Sequence, residues 1–130
     1  MSPPILVDSS WYIREARLGR DPLVQLSLLA ESRDLAVCGL VIVEVGRGLR
    51  EKRFLHRYER AWNQMRYVPS DPGRWRETLG VAWQLDREGK VLPLQDVHIA
   101  VCAAHIGAVV LTVDAHFQTI PGIVATDRAV

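Results

Sequence analysis

The sequence predicts an α/β fold with a mainly parallel central sheet of four or five short strands, flanked by helices. Two observations support this fold class. Predicted strands alternate with predicted helices along the chain, and each strand is apolar on both faces, as in parallel strands that helices cover from both sides. The length of 130 residues suits one core, so we expect a single domain over residues 1–130. In such a sheet the ligand site lies beyond the carboxyl ends of the strands.

The first half of the chain contains two predicted strands and one long predicted helix. Residues 5–7 form an apolar run, and the polar residues after it suit the start of a helix near Trp11. Residues 35–38 form a second short strand. Between Val41 and Met65, apolar residues recur at steps of three and four, which predicts one long helix with at most one break.

The second half of the chain begins with a turn and contains two more predicted helices. Pro72 follows an aspartate at the end of that turn, and the pattern predicts a helix from there to about Arg87. Residues 95–105 predict a helix with almost no polar face, which must be buried. A β-branched strand over residues 109–113 and a short strand over residues 122–125 complete the predicted sheet.

The composition argues against several classes of protein. A net charge of +1 gives no argument for nucleic-acid binding by the whole surface, so any basic site must be local. Cys38 and Cys102 lie in apolar surroundings without CxxC spacing, which predicts buried thiols rather than a zinc site or a disulfide scaffold. No apolar run is long enough to cross a bilayer, and no basic segment precedes the first one. We therefore expect a soluble, cytoplasmic protein that does not bind membranes.

Two aspartates follow predicted strands. Asp8 comes directly after residues 5–7, and Asp114 comes directly after residues 109–113. Since the carboxyl ends of parallel strands meet at one edge of the sheet, we expect both carboxylates at that edge. Each aspartate taken alone is equally consistent with a helix N-cap or a turn.

Two further acids lie in apolar helical segments. Glu44 interrupts the run LVIVEVG, and the helical period places it on the inward face of the long helix with Leu55 and Trp62. A buried carboxylate needs a partner, and an ion pair with Arg47 is the alternative to a metal ion. Asp96 opens the most apolar helix of the chain, where an N-cap is the alternative role.

Taken together, the four carboxylates predict a metal site with hydrolytic chemistry. Clustered acids repel each other unless a cation neutralises them, and oxygen ligands without thiolates select Mg²⁺ or Mn²⁺. Such an ion suits phosphodiester hydrolysis because it activates water and offsets the charge that builds on the phosphate. The hydroxyls of Ser10 and Thr112 lie next to the acids in sequence and suit a metal-bound water or a phosphate oxygen. Helix capping and strand propensity are their alternative roles.

Four stretches of the chain resemble the PIN-domain family, and specifically its VapC-like toxins of type II toxin–antitoxin systems. The stretches are ILVDSSWYI (5–13), VIVEVGRGL (41–49), LPLQDVHIAVCAAHIGA (92–108) and VVLTVDAHFQTIPGI (109–123). Each motif is weak alone, but their order and spacing span the chain. The resemblance implies a PIN-like fold and a Mg²⁺-dependent endoribonuclease that acts as a toxin. It assigns the catalytic and metal-binding roles to Asp8, Glu44, Asp96 and Asp114.

The resemblance also implies three partners: an RNA substrate, a small cognate antitoxin protein and a second copy of the chain in a homodimer. We expect the antitoxin to contact Trp11, Tyr12 and the apolar positions flanking residues 49–54, where a partner helix can lie in a groove. For Trp11, packing in the core is the alternative.

Four arginines at steps of three, four and three predict a basic stripe on the long helix, beside the face that carries Glu44. They are Arg50, Arg53, Arg57 and Arg60. We interpret this stripe as a contact surface for RNA phosphates. A solvated basic face, or contacts to acidic residues of an antitoxin, are the alternatives.

The chain departs from the family pattern at one position. Many family members have another acid two residues after the last motif aspartate, and here that position is His116. We therefore expect one bound ion rather than two. Contact with RNA or with the leaving group is the alternative to an ordinary surface histidine.

Three other functions are alternatives to the ribonuclease hypothesis. A catalytically idle PIN-like module would bind RNA or protein without cleavage, and the intact set of four acids argues against it. A phosphotransfer receiver domain requires paired acids after the first strand and a lysine near the C-terminal strand, and the sequence has neither. A nuclease that acts on DNA stays open as an alternative.

Overall fold

The fold is described by a computed structural model that covers residues 2–128. The strands in these residues are β1 (Ile5–Val7), β2 (Leu35–Cys38), β3 (Arg66–Val68), β4 (Val109–Leu111) and β5 (Ala125–Thr126). The α-helices are α1 (Ser9–Arg17), α2 (Pro22–Leu29), α3 (Gly39–Gly46), α4 (Lys52–Asn63), α5 (Pro72–Arg87) and α6 (Leu94–His105). A 3₁₀ helix covers Ala115–Thr119. Within residues 2–128, no helix is both long enough and apolar enough to cross a bilayer.

The five strands of the described region form one parallel sheet in the order β3-β2-β1-β4-β5. This confirms the predicted α/β class and the parallel sheet. In the central strand, Leu6 is in register with Ala36 of β2 on one side and Val110 of β4 on the other. The chain runs outward from β1 to β3 and then returns to place β4 beside β1. The topological switch point therefore lies between β1 and β4, where an α/β sheet binds its ligands.

The core is formed by the central strands and the helices that cover them. Every residue of β1 and β2 is buried, so both faces of these strands are covered. Cys38 and Cys102 are both buried and free, as predicted. A hydrogen bond with Cys102 and burial raise the pKa of the Cys38 thiol. That thiol stays protonated at neutral pH and behaves as a small core side chain.

The long helix predicted between Val41 and Met65 is interrupted by one break, which the prediction allowed. Two helices, α3 and α4, stand there, and Gly46 and Gly48 lie at the break. Glycine is among the weakest helix formers, so these two residues favour the end of α3, and a Cβ at Gly46 would make only an ordinary contact with Leu55 at 3.5 Å. Glu44 and Leu55 therefore belong to different helices, and the shared helix face inferred for them does not exist.

Other predicted elements were confirmed or moved by a few residues. Helices α5 and α6 were predicted within one residue of their observed ends. Strand β4 ends at Leu111 rather than at residue 113, and β5 covers Ala125–Thr126 rather than residues 122–125. Gly122 has a φ of 79°, which belongs to a turn and not to a strand. Helix α2 and strand β3 were not predicted.

Trp11 and Tyr12 are core residues, so the expectation that they lie on an exposed antitoxin-binding face was wrong. Each is 1% exposed, and their rings meet edge to face. The indole nitrogen of Trp62 donates a hydrogen bond of 3.2 Å to the Tyr12 hydroxyl, which ties α1 to α4. Burial raises the pKa of Tyr12, and the hydroxyl stays neutral.

Candidate metal centre

Asp8 follows β1 and is held in place by three hydrogen bonds. The hydroxyls of Ser10 and Thr112 donate to its Oδ2 at 2.6 and 2.8 Å, and the Ser10 backbone N–H donates to the same oxygen at 3.3 Å. Asp8 is thus the N-cap of α1 as well as a strand-end acid. Because it is only 2% exposed, its carboxylate is fixed at the end of the central strand.

Asp114 lies just beyond β4 and is linked to Asp8 through Thr112. The Asp114 backbone N–H donates a hydrogen bond of 3.0 Å to the Thr112 hydroxyl, and that hydroxyl donates to Asp8. Asp114 is also the N-cap of the 3₁₀ helix, because its Oδ1 accepts a hydrogen bond from the His116 backbone N–H at 2.9 Å. The expectation that Asp8 and Asp114 share one edge of the sheet agrees with this geometry.

Asp96 enters the cluster from α6. It is not the N-cap of that helix, since Pro93 occupies the cap position and Asp96 lies in the first turn. Its carboxylate therefore lies near the positive end of the helix dipole, which favours negative charge. The ring nitrogen Nδ1 of His116 lies 2.7 Å from Oδ2 of Asp96 and 2.9 Å from Oδ1 of Asp114. Ligand-type atoms of these three side chains all lie within 4.8 Å of one another.

The electrostatics of this cluster favour a bound cation. Burial raises the pKa of Asp96 to about 6, although the hydrogen bond from His116 lowers it, and the charges of Asp114 and Asp8 raise it further. The pKa of His116 is raised in turn, chiefly by its hydrogen bond to Asp96. Three acids are thus close enough to repel, and a positive charge among them would relieve that repulsion.

Glu44 reaches the cluster through Ser9. The Ser9 hydroxyl donates a hydrogen bond of 2.9 Å to Oε1 of Glu44 and lies 3.5 Å from Oδ1 of Asp8. Among residues 2–128, this hydroxyl and not Arg47 is the partner of the Glu44 side chain, so the alternative of an ion pair with Arg47 was wrong. Glu44 is half-buried near the end of α3 and faces the same side of the site as Asp8.

The donor set fits a hard divalent cation. Most of its donor atoms are carboxylate oxygens, the ligands that such ions prefer. Hydroxyl groups donate hydrogen bonds to the Asp8 and Glu44 carboxylates and orient them, as outer hydrogen bonds do in metal sites. Asp96 and Asp114 have carboxylate oxygens close enough together to hold a Mg²⁺ or Mn²⁺ ion, and Asp8 and Glu44 are the further carboxylates beside them. The hydroxyls of Ser10 and Thr112 both donate to Asp8, and their predicted contact with a metal-bound water or a phosphate oxygen stays a prediction.

The four arginines do not form the stripe that the sequence predicted. Arg50 lies outside both α3 and α4, so it shares no helix face with the other three. Arg53 is paired with Glu51 at 2.7 Å, and Arg57 is paired with Asp21 at 2.8 Å. All these partners are solvent-accessible, and exposed ion pairs contribute little to stability. Three of the four arginines, Arg53, Arg57 and Arg60, therefore remain together on α4.

Sequence reasoning missed two site residues. The sequence indicated only helix capping for Ser9, and its position directly after Asp8 was the one signal for a second role. For His116 the sequence favoured an ordinary surface position, and the family pattern, which has an acid there, was the signal that it faces the cluster.

The PIN domain family model matches residues 5–123. The match covers most of the chain, and the chain belongs to the PIN domain family, as the four motifs indicated. Among curated proteins, no sequence matches the chain significantly.

Several solved structures share the fold. The DNA-bound VapBC structure from Salmonella typhimurium has a TM-score of 0.78 at 22% identity and covers 96% of this chain and 98% of that chain. VapBC2 from Rickettsia felis, bound to a DNA fragment from the promoter, gives 0.76 at 16% identity, with 94% and 96% covered. VapBC-1 from nontypeable Haemophilus influenzae gives 0.73 at 16% identity, again with 94% and 96% covered. At these identities the likeness is one of fold.

Proposed function

We propose that this chain is the toxin of a type II toxin–antitoxin system, a Mg²⁺- or Mn²⁺-dependent endoribonuclease that hydrolyses RNA phosphodiester bonds. The observation that carries the proposal is the cluster of Asp96, Asp114 and His116, whose ligand-type atoms lie within 4.8 Å of one another, with Asp8 near enough for its charge to raise the pKa of Asp96. Acids that repel one another are costly unless they bind a cation, and the fold places them at the ligand-binding edge of the sheet. Membership of the PIN domain family supports the nuclease class.

In this proposal, neighbouring hydroxyl groups of the chain orient the carboxylates that take part in the reaction. A divalent ion supplies the Lewis-acid chemistry when bound: it activates water and offsets the charge that builds on the phosphate. Thr112 and Ser10 hold the Asp8 carboxylate in one orientation, because both hydroxyls donate to the same oxygen. Glu44, fixed by Ser9 at 2.9 Å, is placed to accept a proton from the attacking water.

The RNA is proposed to reach this edge across α4. Arg53, Arg57 and Arg60 remain the candidates on that helix, and Arg50 is a candidate in the loop before it. The ion pairs of Arg53 with Glu51 and of Arg57 with Asp21 are exposed, so phosphate oxygens can replace these carboxylates at little cost.

The antitoxin is proposed to bind the groove between α1 and α3. Its apolar lining includes Ile13, Ala16, Val45 and Leu49, and Glu44 lies at the same groove. An amphipathic partner helix fits such a surface, and a basic side chain from it would meet the acids of the site. Several of the structures that share the fold are of VapBC proteins, which supports a partner of this kind.

The homodimer is proposed to form through α5. Residues at steps of four, beginning at the N-cap, form a stripe that is symmetric about its centre: Asp71, Trp75, Leu79, Trp83 and Arg87. The three apolar members are 44%, 67% and 53% exposed, in chain order. In an antiparallel pair centred on Leu79, Trp75 meets the partner's Trp83 and Asp71 meets the partner's Arg87. Two such rows at steps of four interdigitate in the commonest class of helix packing. A second copy of this chain is therefore the occupant that fits.

We also propose that residues 1–130 act as one PIN domain in the cytoplasm, where an RNA substrate and an antitoxin would be met.

Cleavage of labelled RNA by the purified chain tests the function. We expect cleavage with Mg²⁺ or Mn²⁺, none with EDTA, and a loss of several orders of magnitude in the Asp96→Asn and Asp114→Asn variants, because the amide keeps the shape but removes a charged ligand. Asp34→Asn, which changes an exposed acid away from the site, is the matched control. Full activity in the two site variants would overturn the metal assignment, and cleavage of DNA alone would assign the chain to the DNA nucleases.

A further inference from the structure

His116 occupies a position in the cluster that the proposed function does not use. Its ring nitrogen Nδ1 lies 2.7 Å from Asp96 and 2.9 Å from Asp114. These two acids come from different elements, α6 and the end of β4. The imidazole therefore meets both carboxylates at the point where their charges converge.

These distances are those of hydrogen bonds, and they are also close to the spacing of atoms that share a metal ion. In an octahedral site with bonds of about 2.1 Å, neighbouring ligand atoms lie about 3.0 Å apart. The two distances from Nδ1 differ from that edge length by a few tenths of an ångström. The ring nitrogen and the two carboxylates, whose ligand atoms lie within 4.8 Å of one another, are therefore close enough to share one ion, and binding of that ion would release the proton from Nδ1.

The backbone fixes His116 in this place. Asp114 caps the 3₁₀ helix by accepting the His116 backbone N–H at 2.9 Å, so the two residues move as one turn. The His116 side chain is 44% exposed, whereas that of Asp96 is 13% exposed. The ring therefore lies on the solvent-facing side of the cluster, and the Asp96 carboxylate lies on the more buried side.

We propose that Nδ1 of His116 is a metal ligand together with Asp96 and Asp114, and that it shifts the preference of the site from Mg²⁺ toward Mn²⁺. Mg²⁺ prefers oxygen ligands, whereas imidazole nitrogen suits the first-row transition ions, and Mn²⁺ accepts carboxylates as well. The chain thus replaces an oxygen ligand of the family pattern by a nitrogen ligand. This inference rests on the proposed metal site, but not on the RNA substrate or on the toxin role.

Pulsed EPR of the Mn²⁺-loaded chain, without RNA or partner, tests the ligand directly. We expect a ¹⁴N coupling from a bound imidazole in the wild type and in the control variant His56→Asp, which changes an exposed histidine on α4. The coupling should be absent in His116→Ala and His116→Asp. Titration calorimetry of the same proteins should show the Mn²⁺ over Mg²⁺ affinity ratio falling by about tenfold or more in His116→Asp, with Mg²⁺ binding retained.

Two results would overturn the inference and leave the metal site intact. One is Mn²⁺ bound to the wild type without ¹⁴N coupling. The other is tighter binding of both ions in His116→Ala, because the imidazole would then be a positive group that an ion must displace. If the wild type binds neither ion, the proposed metal site itself fails, together with this inference.

Discussion

The Thr112 hydroxyl donates a hydrogen bond of 2.8 Å to Asp8 and thereby joins the ends of β1 and β4. The same oxygen accepts the Asp114 backbone N–H at 3.0 Å, so one hydroxyl orients two of the candidate metal ligands. Removal of an outer hydrogen bond of this kind typically lowers metal affinity or activity by about 10- to 100-fold.

Replacing this hydroxyl should therefore weaken the site without unfolding the protein. We expect Thr112→Val to lower Mn²⁺ affinity and RNA cleavage by about 10- to 100-fold, because Asp8 loses a donor while the β-branched shape is kept. Titration calorimetry and a cleavage assay measure the two effects. Thr119→Val, at the end of the 3₁₀ helix, is the matched control. Equal Mn²⁺ affinity in Thr112→Val and wild type would contradict the orienting role.

The arginines of α4 should contribute to RNA binding by pairing with phosphates. We expect the double variant Arg53→Ala and Arg57→Ala to bind RNA more weakly and to flatten the slope of log affinity against log salt. Each phosphate that is no longer neutralised reduces that slope by about 0.7 on a single strand. Mn²⁺ affinity should stay nearly unchanged, since these side chains pair with Glu51 and Asp21 and not with the candidate metal ligands.

A matched double variant, Arg66→Ala with Arg76→Ala, controls for the removal of two positive charges elsewhere. If both double variants show the wild-type slope, the basic face of α4 belongs to solvent or to the antitoxin.

The stripe on α5 should carry the homodimer. We expect Leu79→Asp to convert the dimer to a monomer in sedimentation equilibrium, because it places a charge at the centre of a symmetric apolar contact, opposite its own copy. Leu28→Asp, which changes an exposed leucine on α2, should leave the dimer unchanged. A dimer of equal strength in Leu79→Asp would place the interface elsewhere.

The buried ring of His98 should make a measurable contribution to stability. Thr78 donates its hydroxyl proton to the Arg74 carbonyl at 2.8 Å, so its oxygen must accept the proton of His98 Nδ1, 2.8 Å away. Ser70 then donates to Nε2 at 2.7 Å, and burial lowers the pKa of His98, which keeps the ring neutral.

Thr78→Val leaves the N–H of this ring without its acceptor in a fully buried place. We expect it to lower the free energy of unfolding by about 1–3 kcal/mol in denaturant titrations. Thr119→Val again serves as the control. A change as small as in that control would mean that water or a shifted ring satisfies His98.

Much of the fold was predictable because it depends on local patterns. Apolar runs identified β1 and β2, and the acids that follow β1 and β4 were correctly expected at one edge of the sheet. The strand order, however, is not contained in any local pattern. It is the order that puts β4 beside β1, and with it Asp114 near Asp8.

The remaining errors have physical causes that involve distant residues. The helical period places Glu44 and Leu55 on one face only if the helix is continuous, and it does not show how the chain turns after Gly46 or that α4 packs against α3. Ser9 suits a cap wherever α1 begins, and its bond to Glu44 depends on where α3 lies. The burial of Trp11 depends likewise on the helices around α1 and not on its neighbours in sequence.

The bond between Thr112 and Asp8 spans 104 positions of the chain, and its consequence is kinetic. Pairing β1 with β4 closes a loop of most of the protein, and contacts of such long range form late because the entropy of closure must first be overcome. During synthesis Asp8 is made long before Asp114. A chain that does not yet contain Asp114 cannot bring these two acids together. The proposed metal site can therefore form only after Asp114 has been synthesised, 106 positions after Asp8.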